Sequence, residues 1–213
     1  MIKQTEISGW RQARRRSARD AILEAAWALV REEGLAGLSL RDLARRAGIS
    51  PPTVYAYFDS KNAIYDAMFG AAAAQFADQM AEPYDCEDPR ERLVAGARRF
   101  AGFCTSDLER YQLLFQRCVP GFEPSPQSYA PALRALDGAR EVLALNGITD
   151  PRYLDLWTAL ITGLVSQQVS NDPGGGRWTG LIEDLVAMFL AHCQTAAARP
   201  SAPGPARPEG ALS

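Results

Sequence analysis

Residues 38–61 have the sequence LSLRDLARRAGISPPTVYAYFDSK, and this stretch decides the fold. Its first half predicts a short helix that begins after Ser39, because serine favours the N-cap position. Asp42 lies three residues further on, where a capping-box partner is expected. Gly48 is expected to end the helix, since glycine suits the residue that follows a last helical turn.

A second short helix is predicted to follow at once. It begins after Ser50, and Pro51 and Pro52 fit its first turn, where missing N–H groups cost nothing. Val54 and Phe58 lie one turn apart and are expected to point inward. Two short helices joined by so short a turn are typical of a helix-turn-helix, a unit that binds double-stranded DNA with its second helix in the major groove.

The outward face of the second helix is unusual for a plain protein surface. It is predicted to consist of Pro51, Pro52, Thr53, Tyr55, Ala56 and Tyr57. Hydroxyl groups can reach phosphates or base edges, and aromatic rings can contact thymine methyl groups, so this face suits a DNA groove. The alternative is that both tyrosines pack on neighbouring helices.

Almost every other periodic segment also predicts a helix, so the expected fold class is all-α. The helix before the decisive stretch is expected to span residues 17–33, with Ser17 as its N-cap and Gly34 after its last turn. Residues 119–131 are rich in proline and predict an irregular connection or a broken helix. Later helices are predicted at about 61–80, 90–107, 109–117, 128–146, 151–170 and 177–194.

Composition and charge exclude several classes of protein. No apolar stretch reaches the ~18 residues of a membrane span, and the first residues lack the apolar core of a secretory signal, so a cytoplasmic location is expected. The four cysteines form no CxxC pair and His192 is the one histidine, so no metal or cofactor is expected. The net charge of −2 divides into +4 for residues 1–61 and −6 for the rest, so the first segment is the part suited to a polyanion.

Residues 38–61 closely resemble the signature of the tetracycline-repressor (TetR/AcrR) family of transcriptional regulators. Thr53-Val54-Tyr55, Phe58 and Lys61 fall at the family's spacing, and the similarity covers about residues 17–70. It implies an N-terminal three-helix DNA-binding domain and a C-terminal helical domain for ligand binding and dimerisation. The boundaries expected on this basis are a basic flexible arm at 1–16, the helix-turn-helix domain at 17–62, the ligand-binding and dimerisation domain at 63–195 and a disordered tail at 196–213.

The resemblance also implies which side chains contact DNA. Thr53 and Tyr55 look like phosphate contacts, and Tyr57 looks like a base-edge or phosphate contact. Lys61 resembles the family's phosphate-clamping lysine. Ala56 departs from the larger residue common at its position and offers only a methyl contact to thymine. The complete expected set is Ser39, Arg41, Ser50, Pro51, Pro52, Thr53, Tyr55, Ala56, Tyr57 and Lys61.

A small, largely apolar ligand is implied for the C-terminal domain. Aromatic and soft apolar side chains on several helices suit such a pocket, with Gln167 and Gln168 as candidate polar contacts. The alternative for each of them is an ordinary place in the core. The expected ligand-binding residues are Phe100, Phe103, Cys104, Tyr111, Phe115, Phe122, Trp157 and Gln167.

The last two helices are expected to form a homodimer through a four-helix interface, as in similar regulators. The alternative is burial of their apolar stripes inside the monomer. The expected interface residues are Leu156, Leu160, Gly163, Leu164, Leu181, Leu185, Met188 and Phe189.

The function that the resemblance implies is a homodimeric repressor, released from a palindromic operator when a small molecule favours another spacing of its recognition helices. The alternatives are a transcriptional activator of the same fold and a redox-responsive regulator that uses its cysteines. An enzyme is not expected, because no phosphate loop or nucleophile elbow is visible and His192 is the single candidate base. A non-specific architectural protein is disfavoured by the acidic balance after residue 61.

Five arginines precede or open the first helix: Arg11, Arg14, Arg15, Arg16 and Arg19. One reading of this arm is that it enters the minor groove or neutralises phosphates. The other is a solvated, disordered basic tail. The sequence leaves both open.

Overall fold

The computed structural model describes residues 2–197, with side chains for residues 14–196. These residues contain nine α-helices, two short 3-10 turns and no β-strand, which confirms the all-α fold. The helices are α1 Ile2–Glu33, α2 Leu40–Arg46, α3 Pro51–Tyr55, α4 Lys61–Met80, α5 Pro89–Ser106, α6 Leu108–Phe115, α7 Pro126–Leu145, α8 Pro151–Asn171 and α9 Ile182–Ala197; the 3-10 turns are Leu35–Gly37 and Thr179–Leu181.

The first helix begins well before the expected position. α1 starts at Ile2, so Ser17 lies inside the helix and is not its N-cap. Residues 2–16, which were expected to form a flexible arm, are part of this same helix in the structure. These residues contain no proline, and their arginines, glutamines and alanine favour a helix, so nothing local stops the helix from extending.

Two clusters of buried side chains hold the fold together. The N-terminal cluster packs α1, α2, α3 and α4 together and includes Leu43, Val54 and Phe58. The C-terminal cluster joins α5, α8 and α9 with parts of α4, α6 and α7. Helix α4 contributes to both, with Ile64 in the first cluster and Phe76 in the second. It is therefore a continuous structural link between the two halves.

The proline-rich connection ends earlier in the sequence than predicted. Helix α7 already begins at Pro126 and keeps Pro131 inside it, so the irregular segment lies between Phe115 and Pro126. A carboxylate from another helix holds the start of α7: Asp66 of α4 accepts hydrogen bonds from the backbone N–H of Ser125 at 2.7 Å and from the Ser128 hydroxyl at 2.8 Å.

The connection between α8 and α9 is ordered by a buried glutamine. Gln168 is 1% exposed, and its Oε1 accepts hydrogen bonds from the backbone N–H groups of Trp178 at 2.9 Å and Thr179 at 3.1 Å. Its Nε2 donates to the carbonyl of Asp172. Because these bonds shape residues 172–181 as a loop and a 3-10 turn, α9 begins at Ile182 and not near residue 177. No helix within residues 2–197 is long and apolar enough to cross a bilayer.

Candidate functional site

Local capping builds the two short helices as the sequence predicts. The Ser39 hydroxyl accepts a hydrogen bond from the backbone N–H of Asp42 at 3.4 Å, and the Ser50 hydroxyl accepts one from that of Thr53 at 3.4 Å. Gly48, between them, has a φ of 67°, which is costly for residues with a Cβ. The Asp42 carboxylate pairs with Arg45 at 2.7 Å, so the structure shows the forward half of a capping box.

Helix α3 presents an exposed face because two apolar side chains anchor its other side. Val54 is fully buried and Phe58 is 2% exposed, whereas Tyr55 is 52% exposed. Pro51, Pro52 and Ala56 are exposed too, as expected. The Thr53 hydroxyl lies 2.8 Å from that of Ser50.

Tyr57 differs from the expectation of a fully outward side chain. The α-helix ends at Tyr55, and the backbone N–H of Tyr57 bonds to the carbonyl of Val54, only three residues earlier. This tighter turn rotates Tyr57 toward the N-terminal cluster, where it is half-buried. Tyr57 therefore joins the exposed surface to the core.

The start of α4 is tied to the turn between α1 and α2. Lys61 Nζ donates to the carbonyl of Ala36 at 3.4 Å and lies 5.6 Å from the ring centroid of Tyr65. The buried Tyr65 hydroxyl donates to the carbonyl of Leu35. Burial raises the pKa of Tyr65 to about 12, so the hydroxyl keeps the proton that it donates. Sequence reasoning missed Tyr65, although its position one turn after Lys61 placed it on the same side of α4.

The arginines of the helix-turn-helix differ in their surroundings. Arg46 forms two hydrogen bonds with the Glu32 carboxylate, at 2.5 and 2.6 Å, so its charge is matched inside the domain. This contact raises the pKa of Arg46 and lowers that of Glu32. Arg45 is paired with Asp42. Arg41 is exposed at the surface of α2, and Ser39 is half-buried.

Residues 22–68 match the family model for bacterial regulatory proteins of the tetR family. The N-terminal domain of this chain is a TetR-family domain. The family resemblance of residues 38–61 is thereby confirmed.

Relatives of known name agree with this TetR assignment. The chain is 28% identical to the tetracycline repressor class A of transposon 1721 from Escherichia coli, over 77% of this chain and 73% of the repressor. It is 29% identical to the HTH-type transcriptional regulator Rv1816 of Mycobacterium tuberculosis, over 61% of this chain but only 58% of that regulator. The solved structure of the transcriptional regulator FadR from Bacillus subtilis shares the fold, with a TM-score of 0.60 at 18% identity over 80% of this chain and 97% of FadR.

Several of the expected ligand-binding residues pack on one another. Phe76, which sequence reasoning missed, lies at their centre, 5.0 Å from Phe103 and 5.4 Å from Phe115 between ring centroids. Phe100 is 5.4 Å from Phe115, and Tyr111 packs on Phe115 from the other side at 5.9 Å. Cys104 is fully buried in the same C-terminal cluster.

The remaining expected ligand residues lie elsewhere. Trp157 contacts Phe189 at 5.2 Å, and Phe122 packs on Tyr65 in the N-terminal cluster at 5.7 Å. Gln167 is exposed, while the neighbouring Gln168 is the buried glutamine. An open groove of about 430 Å³ lies between α5 and residues 176–183. Its lining contains none of the eight expected residues: it consists of Arg98, Ala101, Gly102, Thr105, Gly176, Thr179, Gly180, Ile182 and Glu183.

The expected dimer residues of α8 and α9 divide into an exposed and a buried group. Met188 is 73% exposed, Leu181 44% and Leu160 37%, and Gly163 is exposed with them. Leu156 and Leu185 are half-buried. Leu164 and Phe189 are buried in the core of the chain itself, because they face α5 and its neighbours in the C-terminal cluster.

Three of the four cysteines are held in their less reactive thiol form. Burial raises the pKa of Cys104 and, to a smaller extent, the pKa values of Cys118 and Cys193. A raised pKa keeps each of these groups as a thiol at neutral pH, whereas the thiolate is the reactive form. Cys118, although exposed, donates its S–H to the carbonyl of Gln112.

A polar joint links the TetR-family domain to the C-terminal half. Arg31 of α1 pairs with Asp107 at the start of α6 at 2.8 Å, and this contact raises the pKa of Arg31. The Arg110 guanidinium lies 5.3 Å from the ring of Trp27, and its buried Nε lacks a hydrogen-bond partner among the described residues. Sequence reasoning did not find this joint.

Proposed function

We propose that this chain is a sequence-specific DNA-binding transcriptional regulator. The observation that carries the proposal is the surface formed by α3 and the start of α4: Tyr55 is exposed, Thr53 and Lys61 are partly exposed, and Lys61 lies at the capped N-terminus of α4. The buried side chains of Val54 and Phe58 anchor this segment to the N-terminal cluster. A threonine, a tyrosine and a lysine at a helix N-terminus are groups that bind phosphates, and the tyrosine ring can also contact bases.

The regulator acts as a homodimer. We take the exposed apolar side chains Met188 of α9, Leu160 of α8 and Leu181 of the 3-10 turn before α9 as the dimer face, because an oligomer buries surface of this kind. A two-fold axis through this face is expected to bring two copies of α3 to one duplex, about 34–36 Å or a multiple of that apart along DNA. The operator is therefore roughly palindromic.

The regulator is a repressor that a small, largely apolar ligand releases from DNA. The aromatic cluster around Phe76 supports this proposal, because it joins α5 and α6 to α4, the helix that also carries Lys61. FadR was solved in complex with stearoyl-CoA, so the same fold holds a ligand with a long acyl chain in that protein. A ligand that separates these rings moves α4 and with it α3, and it releases DNA if it prefers the moved state.

The test is the selection of genomic DNA fragments by the purified full chain, followed by sequencing of the retained fragments. A shared palindromic sequence is the expected result. The selection is repeated with protein that has been denatured and refolded to remove any bound ligand. A chain that enriches no sequence in either state contradicts the proposal, and a motif without two-fold symmetry contradicts the dimer.

A further inference from the structure

The middle of α1 carries a concentration of positive charge that the proposed recognition face does not use. Residues 11–19 include five arginines and no acidic residue. They are part of one helix, so these positions are distributed along about 12 Å of the helix axis. Arg14, Arg15, Arg16 and Arg19 are all exposed.

Two of these arginines lie against the end of α3. Arg15 Nη2 donates to the carbonyl of Ala56 at 3.5 Å, and the Arg19 guanidinium carbon lies 4.8 Å from the centroid of the Phe58 ring. Arg15 and Arg19 are one turn apart and so share one side of α1. This side of α1 therefore continues the surface that begins with the exposed Tyr55.

We infer that Arg15 and Arg19 form a second contact surface for DNA, which binds backbone phosphates beside the stretch that α3 occupies. The inference rests on the proposed function. Helical geometry decides the mode of contact: a helix with its side chains is about 10–12 Å across, whereas the minor groove is about 6 Å wide. An extended arm can enter that groove, but α1 cannot. Because the helix stays outside the groove and the side chains of Arg15 and Arg19 are held against Ala56 and Phe58, these arginines meet the sugar–phosphate backbone and add affinity without adding base specificity.

The experiment compares three double variants with the wild-type chain. Arg15→Gln/Arg19→Gln removes both charges, and Arg15→Lys/Arg19→Lys keeps them. Arg90→Gln/Arg134→Gln removes the same number of exposed charges from α5 and α7 and serves as the matched control. The affinity of each protein for a random-sequence duplex is measured by fluorescence anisotropy at several salt concentrations, and thermal unfolding verifies that each protein is folded.

The slope of log K against log salt reports the number of phosphates contacted, at about 0.9 per phosphate. The glutamine pair is expected to make this slope shallower by about two units, while the lysine pair and the control keep the wild-type slope. A glutamine pair with the wild-type slope overturns this inference and leaves the proposed function intact. A lysine pair that loses as much slope as the glutamine pair also overturns it, because the arginines would then only hold α3 in place. A wild-type chain that binds no DNA overturns the proposed function and this inference together.

Discussion

At the scale of single residues, Lys61 and Tyr65 show how a surface charge is held in place. Both side chains reach the turn between α1 and α2: the ammonium donates to Ala36 and the phenol to Leu35. The hydrogen bond from the Tyr65 hydroxyl to the Leu35 carbonyl is buried, and leaving a buried carbonyl without a partner costs about 1–3 kcal/mol. These hydrogen bonds fix the position of the Lys61 ammonium group, as a phosphate contact at a helix N-terminus requires.

We expect Lys61→Ala to weaken binding to operator and random DNA about equally, and to reduce the salt slope by about one unit, because one phosphate contact is lost. Lys61→Arg keeps the charge and serves as the control. Anisotropy titrations on both duplexes measure the effect. A loss confined to the operator would contradict the assignment of Lys61 to the DNA backbone.

Two roles of Tyr57 can be separated, because its half-buried ring packs on the N-terminal cluster while its hydroxyl group can donate or accept a hydrogen bond. We expect Tyr57→Phe to leave thermal stability unchanged and to weaken operator binding more than random-DNA binding, by about 1–3 kcal/mol if the hydroxyl reads a base. Tyr57→Ala adds a loss of stability. Equal losses of Tyr57→Phe on both duplexes would make the hydroxyl a backbone contact.

At the scale of elements, the start of α6 joins the two halves of the chain. One oxygen of Asp107 caps α6 by accepting the backbone N–H of Arg110 at 3.0 Å, and the other pairs with Arg31 of α1 at 2.8 Å. Asp107→Asn keeps a capping oxygen and removes the charge, whereas Asp107→Ala removes both. We expect the alanine variant to be less stable than the asparagine variant by about 0.5–2 kcal/mol, the usual cost of losing an N-cap. Urea unfolding measures the difference, and equal stabilities would assign the role of Asp107 entirely to its charge.

The sequence predicted the elements whose ends are decided locally. Ser39, Gly48 and Ser50 act on their nearest neighbours, so the bounds of α2 and the start of α3 could be inferred without knowledge of the rest of the chain. The start of α1 was placed wrongly, because a serine is a weak signal where neither proline nor a competing contact stops the helix.

Features that depend on tertiary packing could not be predicted in the same way. Gln167 and Gln168 are adjacent, and only the rotation of α8 against its neighbours decides that the second is the buried one. Phe100 and Phe122 were both expected to bind the ligand. They belong to different clusters because residues 116–125 fold back onto α4. The polar joint between Arg31 and Asp107 connects residues 76 positions apart, and no local pattern encodes such a distance.

At the scale of the whole molecule, charge and apolar surface are divided between the two ends of the chain. Residues 1–61 carry a net charge of +4, and the remaining residues together carry a net charge of −6. We therefore expect DNA to be attracted to the N-terminal part of the molecule. The exposed apolar side chains of α8 and α9 lie in the acidic part. A dimer formed there leaves both basic faces free for one duplex.

This arrangement makes the proposed dimer testable by a single charge. We expect Met188→Glu, at the most exposed apolar side chain of α9, to place two like charges near the two-fold axis and to dissociate the dimer in sedimentation-velocity experiments. Leu133→Glu is the matched control, because Leu133 is 49% exposed on α7, away from the proposed interface. The Met188 variant should also lose operator affinity while it keeps its affinity for random DNA, since each monomer retains its own helix-turn-helix but can no longer span two half-sites. If the α7 variant dissociates the dimer and the α9 variant does not, the two-fold axis passes through α7, and the spacing of the two α3 helices must be derived from that face instead.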